Sequence, residues 1–167
     1  MSRKSLFALF VAIFFVCSSA VGTSQDIVPG HVVCAVGDSQ VESGAYLIHA
    51  LGAELGENYE VRAEGRRGWT SSRWIRTGDF ASVCEGADIV LVSLGGNDRR
   101  HGRSWGAIKE NVDALIATLP PGTRVWHMPV PRFYRPRIPL APDGIHLTRG
   151  GAIIYARMIA PHLRVAD

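Results

Sequence analysis

Lysine is nearly missing from this 167-residue chain: Lys4 and Lys109 are the only two, so almost all positive charge sits on arginine. Cysteine is scarce as well. There are three, with neither a Cys-x-x-Cys pair nor paired Cys/His ligand spacing, which excludes the usual structural zinc sites. No metal and no cofactor is expected. The longest apolar run, "LFALFVAIFFV" (6–16), is too short to span a bilayer comfortably. Repeats, low-complexity tracts and interdomain linkers are absent, and the length suits one domain with one core. Net charge is small, +3 over the whole sequence, and gives no argument for a nucleic-acid partner.

What is present begins with the N-terminus. Basic "MSRKS", the apolar run and small "CSSA" (17–20) form the pattern of a secretory signal peptide cleaved after Ala20. The expected organisation is signal peptide 1–20, a short segment 21–30 and a single domain 31–167. That implies export to the periplasm, the cell envelope or the medium, with no membrane span after cleavage. A monomer is expected. Cys17 opens a lipoprotein reading, but Val16 before it is bulkier than that processing site accepts.

Periodicity supplies the fold class. "HVVCAVGDS" (31–39), "NYEVRAE" (58–64), "ADIVLVSLGGND" (87–98) and "TRVWHMPV" (123–130) read as strands. The third is apolar without alternation, as in a parallel sheet buried on both faces. Helices are expected over 41–56, 104–120 and 148–163, with Thr148 as N-cap of the last. Strands alternating with helices mean an α/β protein: three layers, α/β/α, around a flavodoxin-like parallel sheet. The Pro-rich stretch 129–142 reads as a long loop.

Ligands of such sheets bind at the carboxyl ends of the strands. There this sequence places Gly37-Asp38-Ser39, then "EGRRGWTSS" (64–72), then Gly95-Gly96-Asn97-Asp98, then Asp143-Gly-Ile-His146. A serine needs a base to become a nucleophile. His146 is a candidate base, Asp143 its orienting carboxylate, and Ser39 the nucleophile they would serve. The oxyanion formed would need fixed donors, and the Ser39 N–H, a glycine-turn N–H and the Asn97 amide are candidates. Taken singly, Gly-Asp-Ser reads equally as a turn, Gly-Gly-Asn-Asp as a loop, and Asp-x-x-His as a cap.

As an ordered set, "AVGDSQ", "RGWTSS", "LGGND" and "PDGIHLT" resemble the four blocks of the SGNH hydrolase superfamily, the GDSL esterase/lipase family. The resemblance covers residues 32–163. It implies Ser39, Asp143 and His146 as catalytic residues. It implies Ser39, Gly68 (or, as the weaker alternative, Gly65) and Asn97 as oxyanion donors, with Asp38 and Asp98 in support. Three departures stand out. Gln40 replaces the usual leucine after the serine, and Ala63 replaces an asparagine. Residues 131–142 are too few for a further helix and strand, so a core reduced to about four strands is expected. Val41 excludes the Gly-x-Ser-x-Gly elbow of the α/β-hydrolase fold.

The resulting expectation is a secreted serine esterase acting on acyl esters, short-chain and acetyl-like, on a carbohydrate or envelope glycan. The short-chain preference rests on the lack of an apolar lid segment. The alternatives are an acyltransferase to a sugar hydroxyl, a lipase or thioesterase on the same fold, or a non-catalytic glycan-binding domain. Trp69, Trp105 and Phe133 are candidates to stack on a sugar, although Trp105 also fits the apolar stripe of its helix. His101 is a candidate substrate contact. Ten arginines fall in three site loops, among them Arg66, Arg67, Arg73, Arg76, Arg99, Arg100, Arg103 and Arg132. They suggest a positive rim that recruits an anionic polysaccharide, unless they pair locally with Glu64, Asp79 or Asp98. Finally, Cys84 precedes its strand-end glycine by eight residues more than Cys34 precedes its own. That offset is roughly 26 Å of extended chain, which predicts two free thiols.

Overall fold

The computed structural model describes residues 30–42, 45–128 and 138–165. The expected signal segment, Cys17, and the loop residues Arg132, Phe133, Tyr134, Arg135 and Arg137 lie outside the described residues. Strands β1 (His31–Gly37), β2 (Tyr59–Gly65), β3 (Ile89–Ser93) and β4 (Arg124–His127) alternate with helices α1 (Tyr46–Leu55), α2 (Ser71–Thr77), α3 (Gly96–Arg100), α4 (Trp105–Ile116) and α5 (Arg149–Leu163). The four strands make one sheet in the order β2-β1-β3-β4, and every pairing is parallel. This is the expected four-stranded α/β/α arrangement.

Period-two alternation assigns the buried residues of β1 and β3 to one of two cores. Val33, Ala35, Ile89 and Leu91 face α1 and α5, while Cys34, Val36, Val90 and Val92 face α2 and α4. α4 closes the second core with Ile108, Val112 and Leu115, one stripe at helical spacing. Fully burying such a side chain stabilises the fold by about 1.5–3 kcal/mol. Hydroxyls fix the helix starts: Ser104 accepts from the Ala107 N–H, and Thr148 from the Gly151 N–H. The register brings Gly37, Gly65 and Ser93 level with one another, so the segments that follow emerge at one edge of the sheet.

Three expectations need correction. The third strand segment, read over 87–98, ends at Ser93, and residues 96–100 form the short helix α3. Trp105 is not core but 49 % exposed, because it is the first residue of α4 and the apolar stripe is covered only from Ile108 onward. The thiols are not free: Cys34 and Cys84 form a disulfide with Cα atoms 5.5 Å apart. The extended-chain estimate failed because β3 begins only at Ile89. Residues 82–84 form a 3₁₀ turn, the Ala87 N–H donates back to the Cys84 carbonyl, and the Asp88 N–H donates to Val32. The chain thus folds over β1 instead of running on below β3, and this lowers Cys84 onto Cys34.

Candidate active site

Just past β1, Ser39 lies in a tight turn closed by the Val41 N–H donating to the Asp38 carbonyl. Its hydroxyl is 2.8 Å from His146 Nε2, across 107 residues of sequence. His146 Nδ1 is 2.6 Å from Asp143 Oδ2. The other oxygen, Asp143 Oδ1, accepts the backbone N–H groups of Ile145 and His146 at 2.8 and 3.0 Å. Asp143 is therefore both the cap of its turn and the partner of the imidazole. Hydrogen bonds from His146 and from those two N–H groups hold its carboxyl down to about 2. An ionised carboxylate only accepts, so Nδ1 carries the proton and Nε2 is left to accept from Ser39.

The two glycines of the second block differ in their surroundings. A Cβ on Gly65 would lie 2.2 Å from the Glu42 backbone nitrogen, so Gly65 is required for the close approach of β2 to the serine turn. Gly68 has open space around its Cα and a φ of +73°, a conformation that favours glycine. The N–H groups of Ser39 and Gly68 donate to no protein acceptor among the described residues. Asn97, on α3, donates its amide to the Trp69 carbonyl at 3.0 Å and, at 3.4 Å, to Asp38 Oδ2. Asp98 is fully buried and accepts from both the N–H and the hydroxyl of Ser71 at 3.0 and 2.7 Å, which ties α3 to the start of α2.

Two cavities meet at Ser39. One, of about 40 Å³, is walled by Asp38, Ser39, Leu94, Asn97, Met128 and Ile145 among others. The other is an open cleft of about 420 Å³, walled by Ser39, Glu42, Tyr46, Arg67, His146 and Leu147 among others. Gly68 walls neither, and lines a third depression with His101 and Arg103. Burial pushes the Asp38 carboxyl in the small cavity up to about 6 against the pull of the Gln40 N–H.

Much of the expected arginine rim is engaged. Arg66 pairs with both Glu64 and Asp79 and lies over the Trp69 and Trp74 rings. Arg67 pairs with Glu42, and Arg103 with Asp98. Arg99 lies over Trp105, and Arg100 walls the small cavity. Trp69 packs edge-on against Trp74 and carries the Arg66 and Arg73 guanidiniums over its ring. Sequence reasoning missed Gln40 as a participant. Its side chain donates to the Ile145 carbonyl at 2.8 Å, and the residue walls both cavities at Ser39. The only signal was its departure from leucine.

Comparison with known proteins agrees with this fold. The model of the GDSL-like Lipase/Acylhydrolase family matches residues 35–153. No curated protein matches the chain at a significant level. Among solved structures, TesA superposes with a TM-score of 0.63 at 19 % identity, covering 80 % of this chain and 98 % of its own. The M. smegmatis aryl esterase gives 0.62 at 16 %, with 80 % and 98 % covered. A variant of Axe2, an acetyl-xylooligosaccharide esterase from Geobacillus, gives 0.59 at 17 %, with 84 % and 97 % covered.

Proposed function

The chain belongs to the GDSL-like lipase/acylhydrolase family, and from that premise we propose that it is an exported serine esterase that removes short acyl groups from a carbohydrate. The observation that carries this reading is the hydrogen-bonded series Ser39–His146–Asp143, at 2.8 and 2.6 Å. Ser39 Oγ attacks the ester carbonyl carbon as its proton passes to Nε2, and Asp143 stabilises the imidazolium. The oxyanion is met by the N–H groups of Ser39 and Gly68 and by the Asn97 amide. The long contact from Asn97 to Asp38 is the one that yields to it. Collapse breaks the C–O bond, and His146 returns its proton to the departing alkoxide. Water then attacks the acyl-serine with the same base, releasing the acid and restoring Ser39.

The two cavities support an assignment of sides. Asn97 walls the small one and His146 the open one. The leaving alcohol takes its proton from His146, so it belongs in the open cleft, and the acyl group belongs in the small cavity. A water needs roughly 10–15 Å³ of such volume, so 40 Å³ suits about three heavy atoms, the size of acetyl. In the cleft, Tyr46 is 57 % exposed and offers a ring for a sugar face, and Glu42 and Arg67 offer polar partners. The Geobacillus neighbour is a precedent for acetylated sugar on this fold. Export is supported by the signal-like N-terminus and by the disulfide, since such bonds persist in oxidising compartments. The test is a p-nitrophenyl series of acetate, butyrate and octanoate. The acetate is expected to have the highest kcat/KM, and Ser39→Ala is expected to abolish turnover. A preference for octanoate overturns the acyl assignment, and full activity of Ser39→Ala overturns the mechanism.

A further inference from the structure

Resting on that esterase reading, we propose that the depression beside Gly68 is a subsite for an anionic group carried by the polymeric substrate. It encloses about 300 Å³, and its wall includes Arg73, Arg76, His101 and Arg103 with the hydroxyls of Thr70 and Ser72. No aspartate or glutamate lines it. The contrast with the neighbouring arginines is what points to a ligand. Arg66 and Arg67 are neutralised by carboxylates. Arg73, whose guanidinium lies over the Trp69 ring, and Arg76, three residues along on the exposed side of α2, make no ion pair with a carboxylate among the described residues. Arg103 Nε faces Asp98 at 3.9 Å, beyond hydrogen-bond distance. The Thr70 and Ser72 hydroxyls, hydrogen-bonded to each other at 3.2 Å, leave one hydroxyl hydrogen as a neutral donor on the same wall.

The position fits a substrate subsite. Gly68 borders the depression, and the next residue, Trp69, receives the Asn97 amide on its carbonyl. The loop 68–70 therefore has the cationic depression along its course and the candidate oxyanion donor bonded to it. A polymer whose acyl group enters the cavity at Ser39 can lay a carboxylate or phosphate of a neighbouring residue against Arg73 and Arg76. The planar guanidinium fork suits either anion in bidentate fashion. The shared chemistry is a tetrahedral or planar oxyanion on the glycan.

The decisive experiment uses the full mature enzyme, its R73Q/R76Q variant and S39A. Substrates are an acetylated polyuronate, an acetylated phosphate-bearing glycan, a neutral acetylated xylan and p-nitrophenyl acetate. The variant is expected to lose about tenfold in kcat/KM on at least one anionic polymer at low salt. It is expected to keep its rate on xylan and on the small ester. The wild-type preference should fade as the Debye length shrinks below about 10 Å. Which polymer loses more identifies carboxylate or phosphate. Direct binding of the deacetylated polyanion by calorimetry should survive in S39A and be lost in R73Q/R76Q. Equal rates of wild type and R73Q/R76Q on every polymer, or equal polyanion binding by both, overturn the subsite. If the wild type is inactive on all four esters, the esterase reading fails, and the binding measurement still judges the subsite.

Discussion

Two carboxyls flank the nucleophile, and their surroundings push them in opposite directions. Asp38 precedes Ser39 in the chain, lies in the wall of the small cavity, and is raised by burial to about 6. Asp143 arrives from the far end of the chain, half-exposed, and is held at about 2 by His146 and two backbone N–H groups. The same functional group is thus set for different work by solvation and hydrogen bonding. Asp143 stays charged at any pH above about 5, as a partner for an imidazolium must. Asp38 changes charge near the lower end of that range, and its partners are Gln40 and Asn97 rather than the base.

Removing the charge that the comparison assigns to catalysis gives the largest effect. Asp143→Asn is expected to lower kcat by about 10⁴-fold, because the amide no longer holds the tautomer with Nε2 free to accept. A loss under tenfold would make Asp143 a turn cap and nothing more. Asn97→Ala comes next, at about 10²–10³ in kcat with KM little changed, as for one oxyanion donor. If KM moves instead, Asn97 binds ground-state substrate.

Asp38 sharpens the comparison through pH. Its folded carboxyl is raised above the ordinary 3.8, so between about 4 and 6 the folded protein binds more protons than the unfolded chain. Folding stability from this group therefore falls as pH rises through that window. The cost above pH 6 is on the order of 3 kcal/mol. Asp143 acts with the opposite sign: its contribution is present above about 4 and is lost as pH falls toward 2. Denaturant midpoints measured from pH 3 to 8 should show Asp38→Asn flattening the segment between 4 and 6. An unchanged slope there would mean that Asp38 is not buried as a charge.

The sequence made the alternation of strands and helices and the Ser39–His146–Asp143 grouping legible, for a shared physical reason. Apolar periodicity reports which face of a segment is buried, and in a parallel sheet every loop after a strand emerges at one edge. What it did not report was the path between segments. The 3₁₀ turn at 82–84 that brings Cys84 to Cys34 has no periodic signature. The helix at 96–100 is a single short turn among glycines. Arginine pairing depends on which loops face each other, so Arg66 joining Glu64 to Asp79 could be named only as an alternative. Trp105 fits its stripe, yet sits beyond the covered end.

The smallest expected effect tests whether the two carboxyls are mechanically linked. Gln40 touches both settings. Its backbone N–H donates to Asp38 Oδ1 at 3.1 Å, and its side-chain amide donates to the Ile145 carbonyl at 2.8 Å. The Ile145 N–H in turn donates to Asp143 Oδ1. One residue therefore spans from the serine turn to the loop that carries the base, at a position where the family commonly has leucine. Gln40→Leu keeps the backbone bond and the bulk, and deletes only the link to Ile145. A single such bond contributes about 0.5–1.5 kcal/mol net, so a loss of roughly two- to tenfold in kcat is expected. Because the bond positions His146, the loss on p-nitrophenyl acetate should fall on kcat more than on KM. Gln40→Glu, which presents an acceptor to the Ile145 carbonyl, should fall further than Gln40→Leu. If both variants match the wild type, the Asp143 loop holds its own geometry, and the two carboxyls are set independently.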